Sequence, residues 1–165
     1  MKKLNRKGFT LIELLAIIVI LAIIMVVTIP TVLNSMNTAR GSQLQNATDS
    51  VAEWFTKQYE LASMGNLTGG ADAAFSTFVG DSGFTSIKGA DSKKVLTTAV
   101  LEAAGIADAS NNIDVSDVSK SYVYYNTTKN KICVQLTAKS GGSFYVNGGD
   151  TTKDAEDNVD QNSGC

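Results

Sequence analysis

Glu13 is the residue whose chemistry most needs a partner. It interrupts an apolar run that extends from Leu11 to Ile29 and is otherwise broken only at Thr28. A carboxylate inside a membrane span costs roughly 2.5–3.5 kcal/mol even on the lenient insertion scale. No Lys or Arg lies between Gly8 and Arg40 to neutralise it. Two arrangements relieve that cost. The carboxyl snorkels to the headgroups or takes up a proton. Alternatively, the chain is cut just before the apolar run, and the new α-amino group supplies a cation.

The other reactive side chains are few. The chain has no histidine, so the commonest general base and metal ligand is missing. Its two cysteines, Cys133 and Cys165, lie on the polar side of the apolar run. If that side is outside the cytosol a disulfide is allowed; two buried free thiols are the alternative. No Gly-x-Ser-x-Gly, phosphate-cradling glycine loop or His-Glu-x-x-His pattern occurs. Asp154 and Asp157 are paired acids, but with Asp150, Glu156 and Asp160 they read as a solvated acidic tail. Enzymatic chemistry therefore has no carrier, and neither a metal nor a cofactor is expected. From Phe9 onward ten basic residues face 16 acidic ones, a balance that argues against nucleic-acid binding. The sequons at Asn46, Asn66 and Asn126 are short enough to arise by chance.

The elements that position these groups begin with the apolar run. Nineteen helical residues span roughly 28 Å, about one hydrocarbon core. An ordinary signal peptide has a shorter core and a small-residue cleavage site, which is lacking here. Lys2, Lys3, Arg6 and Lys7 precede the run and only Arg40 follows closely. That asymmetry predicts a single-pass anchor with its N-terminus in the cytoplasm and the rest outside.

Lys7-Gly8-Phe9-Thr10-Leu11-Ile12-Glu13 resembles the type III leader site of type IV pilins and pseudopilins. The resemblance covers roughly residues 1–35. It implies that a prepilin peptidase cuts between Gly8 and Phe9 and methylates the new Phe9 amine. It also implies that this amine pairs with Glu13 of a neighbouring copy during assembly, which would supply the missing cation. Pro30 stands where the family carries a kink proline, and a proline there removes one helical hydrogen bond. Two departures are visible. Ala22 replaces a frequent glycine and is about 1 kcal/mol better in a helix. Val32 replaces a frequent aromatic, and no Phe, Tyr or Trp occurs between Phe9 and Trp54.

Beyond Pro30, Leu33, Met36, Leu44, Ala47, Val51, Phe55 and Ala62 recur mostly at helical spacing. The spacing predicts one curved helix over residues 9–64, weakened at Arg40-Gly41 and closed by Gly65. Residues 65–120 read as a connector with a short helical turn near 71–79. A second helix is expected over 93–104, capped by Asp91 or Ser92 and ended by Gly105. Over 121–147 the period changes to two, predicting a three-stranded antiparallel meander. Its apolar face would hold Val123, Tyr125, Ile132, Val134, Leu136, Phe144 and Val146, against the amphipathic half of the long helix. Cys133 would face outward, so that a bond to Cys165 ties residues 148–165 across the outer face. That arrangement resembles the disulfide-bounded C-terminal region of type IV pilins.

The expected molecule is thus α+β: a leader over 1–8, a helix over 9–64 and a head over 65–165. The resemblance implies a major pilin subunit, an inner-membrane precursor that polymerises into an extracellular pilus of adhesion or motility. Its partners would be other copies of itself, the membrane and the prepilin peptidase, with a platform membrane protein and an assembly ATPase acting indirectly. A pseudopilin or minor pilin of a secretion or DNA-uptake machine is the alternative. A plain single-pass anchor, never cut, is a third.

Overall fold

Aliphatic side chains without interruption from Leu14 to Val27 favour helix, because a helix lets a single segment satisfy its own backbone groups away from water. The computed structural model describes residues 9–64, 73–139, 144–147 and 165. In it α1 runs over Leu11–Ser63. The chain divides into two compact units, residues 1–38 and residues 39–165, and α1 contributes to both.

In the first unit α1 has no core of its own. Every large apolar side chain from Leu11 to Met36 is 47–83% exposed. By length and composition this stretch is able to cross a membrane. The helix continues through Pro30, which has no N–H to offer the Val26 carbonyl. Hydroxyls nearby turn onto the backbone. Thr28 Oγ1 donates to Ile24 O at 3.0 Å, and Thr31 Oγ1 donates to Val27 O at 3.3 Å and Thr28 O at 2.9 Å. In apolar surroundings this leaves neither hydroxyl without a partner.

In the second unit the buried residues of α1 are Gly41, Leu44, Thr48, Val51, Ala52, Phe55 and Gln58. Steps of three and four place them on one face. The amphipathic seam therefore starts at Gly41 and not at Leu33; Leu33 and Met36 belong to the exposed stem. Arg40-Gly41 does not interrupt the helix, and Gly41 is part of the seam. Ser63 ends α1, with Met64 in the following turn; Gly65 and the connector through residue 72 lie outside the described residues.

Helix α2 (Ala73–Val79) adds Phe75 and Phe78 to the core, where they meet Phe55 edge-on at 6.1 and 5.7 Å between centroids. Turns of 3₁₀ helix follow over Gly80–Ile87 and Ala90–Ser92. The helix expected over 93–104 is shorter. Lys94–Val95 form a strand, β1, and α3 covers Thr98–Ala103. Its cap is Thr97, whose Oγ1 accepts from Val100 N at 3.4 Å, and not Asp91 or Ser92. The physical reason is legible afterwards: Lys93 and Lys94 in a first turn oppose the helix dipole, whereas Thr97 suits an N-cap. Gly105, at φ 91°, ends α3 as expected, with Ile106 N donating to Leu101 O at 2.9 Å. A single helical turn, α4, covers Ala109–Asn112.

The sheet has four strands in the order β1-β2-β3-β4, with β2 at Tyr122–Asn126, β3 at Lys131–Thr137 and β4 at Phe144–Val146. All neighbours are antiparallel. The three-stranded meander thus gains β1 at one edge. α1 packs on this sheet through one core shared by Val51, Phe55, Val123, Val134, Leu136 and Tyr145. The architecture is α+β. One register differs from expectation. Leu136 pairs with Tyr145 and Gln135 with Val146, so Tyr145 faces the helix and Val146 faces outward. Both are buried, and a strand this short does not reveal its face by alternation.

Candidate processing and assembly site

The helix start is built by two residues three apart. Thr10 precedes α1 and its Oγ1 accepts from Glu13 N at 3.4 Å. In return Glu13 Oε2 accepts from Thr10 N and from Thr10 Oγ1, both at 2.8 Å. This is a reciprocal capping box, in which the carboxylate also sits at the positive end of the helix dipole. The box leaves Phe9 outside the helix, with its side chain 83% exposed. Glu13 thus has hydrogen bonds within its own chain, but among the described residues no cation pairs with it. Gly8 and the rest of the basic leader over 1–8 lie outside the described residues.

A second locus lies on the outer face of the sheet. Cys133 and Cys165 are joined by a disulfide, with Cα atoms 5.7 Å apart. Cys133 is fully buried in a cluster with Tyr122 and Tyr124, and Cys165 packs against that cluster. Lys93 Nζ stands over the Tyr122 ring at 4.3 Å from its centroid and over Tyr124 at 5.6 Å. Burial, with a smaller contribution from Tyr124, pushes the Tyr122 phenol up to about 12. On the same face the buried Gln135 donates through Nε2 to Ser119 O and Lys120 O at 3.1 and 2.8 Å. The acidic tail with Asp150, Asp154, Glu156, Asp157 and Asp160 lies outside the described residues.

Residues 3–29 match the family described as a prokaryotic N-terminal methylation motif. The match begins within the basic cluster and ends one residue before Pro30, so it contains Gly8, Phe9, the capping box and the apolar run in register. The match supports a type IV pilin-like prepilin leader at the start of this segment. The leader supports a member of the type IV pilin and pseudopilin family. It implies processing by a prepilin peptidase and assembly into a membrane-associated filament. With the apolar stem behind it, a prepilin leader also fits an anchored inner-membrane precursor. No curated protein and no solved structure matches the chain.

Around the prepilin leader, sequence reasoning named Phe9 and Glu13 but missed Thr10. The signal was present, since Thr-x-x-Glu directly before an apolar run is the mark of a capping box. Cys133 and Cys165 come together, whereas Pro30 belongs to the stem helix and not to the Thr10–Glu13 box. The part of Asn126 was also missed, because that residue drew notice only as a sequon. Its Oδ1 accepts from Thr128 N and Lys129 N, both at 3.0 Å, and its Nδ2 donates to Cys165 O at 2.7 Å.

Proposed function

We propose that this chain is a major pilin: a structural subunit, not an enzyme, cut after Gly8, methylated at Phe9 and polymerised through its apolar helix. One observation carries the reading. From Leu11 to Met36 the stem buries no large side chain, directly behind a prepilin leader. An unpaired apolar helix of this length must sit in lipid before assembly and among copies of itself afterwards. The charge of Glu13 supports the same reading, because its capping bonds supply dipoles but no counter-ion. The Phe9 amine of an adjacent copy would supply that ion and set axial register. Pro30 would bend the stem where its ring disturbs the helical ladder.

The head would form the filament exterior, with the Cys133–Cys165 bond fastening its outer face. Shearing cells that carry the chain tests the proposal. A major pilin is released as long filaments in which this chain is the dominant protein. A processed chain found only in the membrane fraction would contradict it and point to a pseudopilin.

A further inference from the structure

Two asparagines enclose Cys165 on the outer face. On one side is Asn126 at the end of β2, whose amide holds both the β2–β3 turn and the Cys165 backbone oxygen. On the other is Asn147, just past β4. Its Oδ1 accepts from Val134 N at 2.6 Å and its Nδ2 donates to Ile132 O at 3.0 Å, so the side chain carries on the ladder where the strand stops. Cys165 Sγ lies 3.4 Å from Asn147 Oδ1 and 3.6 Å from Asn147 O. A disulfide sulfur has no proton to give, but a thiol does. Reduced Cys165 therefore has acceptors waiting at the place it occupies when bonded.

We propose that Asn126 is a positioning residue for oxidation of the Cys133–Cys165 pair. It holds Cys165 over Cys133 through a hydrogen bond from its Nδ2 to the Cys165 backbone oxygen. The proposal rests on that disulfide being the native pairing. Cys133 is fully buried and Cys165 only half-buried, so an external oxidant reaches Cys165 first. The Cys165 thiolate attacks a small-molecule disulfide such as oxidised glutathione, forming a mixed disulfide and releasing one thiolate. Cys133 gives up its proton to water and attacks Cys165 Sγ, closing the protein disulfide and expelling the second thiolate. Two protein thiols are oxidised and one small disulfide is reduced to two thiols. The second attack is intramolecular, so its effective concentration is set by how well Cys165 is held beforehand.

The experiment equilibrates the full-length chain in detergent with glutathione redox buffers and reads the fraction of intramolecular disulfide by mass. Asn126→Asp keeps an acceptor for Thr128 N and Lys129 N but removes the donor to Cys165. Asn126→Ala removes both and, should it fail to fold, leaves the aspartate variant to decide. A hydrogen bond of ordinary strength predicts that Asn126→Asp lowers the effective concentration of the pair about fivefold. Its reduced form should melt where the reduced parent melts. An aspartate variant that equilibrates like the parent would overturn the proposal and leave Asn126 as a turn former. A parent that keeps two free thiols at saturating oxidant would overturn the pairing itself, a result plainly different from the first.

Discussion

At Glu13 two kinds of interaction are separable. Hydrogen bonds from Thr10 orient the carboxylate and cap the helix, while among the described residues its charge has no ion partner. Glutamine at the same position keeps a box-forming side chain and loses the charge. Glu13→Gln is therefore expected to insert normally and yield no filaments, counted by electron microscopy of the sheared fraction. Normal pili from that variant would remove the pairing argument. Thr10→Ala should do the reverse, loosening the first turn by about 1 kcal/mol while filaments still form. Faster amide exchange at residues 11–13 would report it. Tyr122 gives a prediction of pH dependence. Its folded phenol stays protonated to about 12, whereas the unfolded one ionises near 10. The folded state binds more protons across that window, so stability falls as pH rises through it. In an absorbance titration, the phenolate signal of Tyr122 should appear only near pH 12. The need of Glu13 for a partner was legible from residue type and position. Its local partner required Thr10 to be seen as a cap as well as part of a leader.

Elements were legible where period and length agreed. The stem helix follows from its aliphatic run, and β2 and β3 follow from alternation with Asn130 in the turn at φ 52°. The misreadings came from short segments under tertiary control. Lys94–Val95 became a strand because β2 offered an edge, with Lys94 opposite Val123 and Val95 opposite Tyr122. The face of β4 was set by the pairing of Leu136 with Tyr145, which its own three residues do not encode. Two substitutions test these placements. Thr97→Ala is expected to cost about 1 kcal/mol through loss of the α3 cap. Tyr145→Ala, at a fully buried position on the helix-facing side, is expected to cost roughly 3–5 kcal/mol. Urea melts of the full-length chain in detergent would read both. A near-neutral Tyr145→Ala would return Tyr145 to the outside of the sheet.

Over the whole molecule, composition separates two solvents. Residues 11–36 expose their apolar side chains, whereas residues 39–165 hold a core of their own with Val51, Phe55, Leu101, Val123 and Leu136 fully buried. The head is small, and the link between Cys133 and Cys165, 32 residues apart, adds what its core lacks. A loop of that length contributes roughly 3–4 kcal/mol by restricting the unfolded chain. Cys165→Ser should lower the melting transition of the head accordingly, and an unchanged transition under oxidising conditions would contradict the bond. The central claim is that the chain is processed, exported and oxidised as a pilin, and one measurement addresses all of it. Protein sheared from the producing cell would be weighed intact, before and after reduction. The account predicts a chain beginning at Phe9, one methyl group heavier than the bare sequence, which gains two hydrogens on reduction. A mass beginning at Met1, found only in the membrane fraction, would contradict it and leave a plain anchored domain.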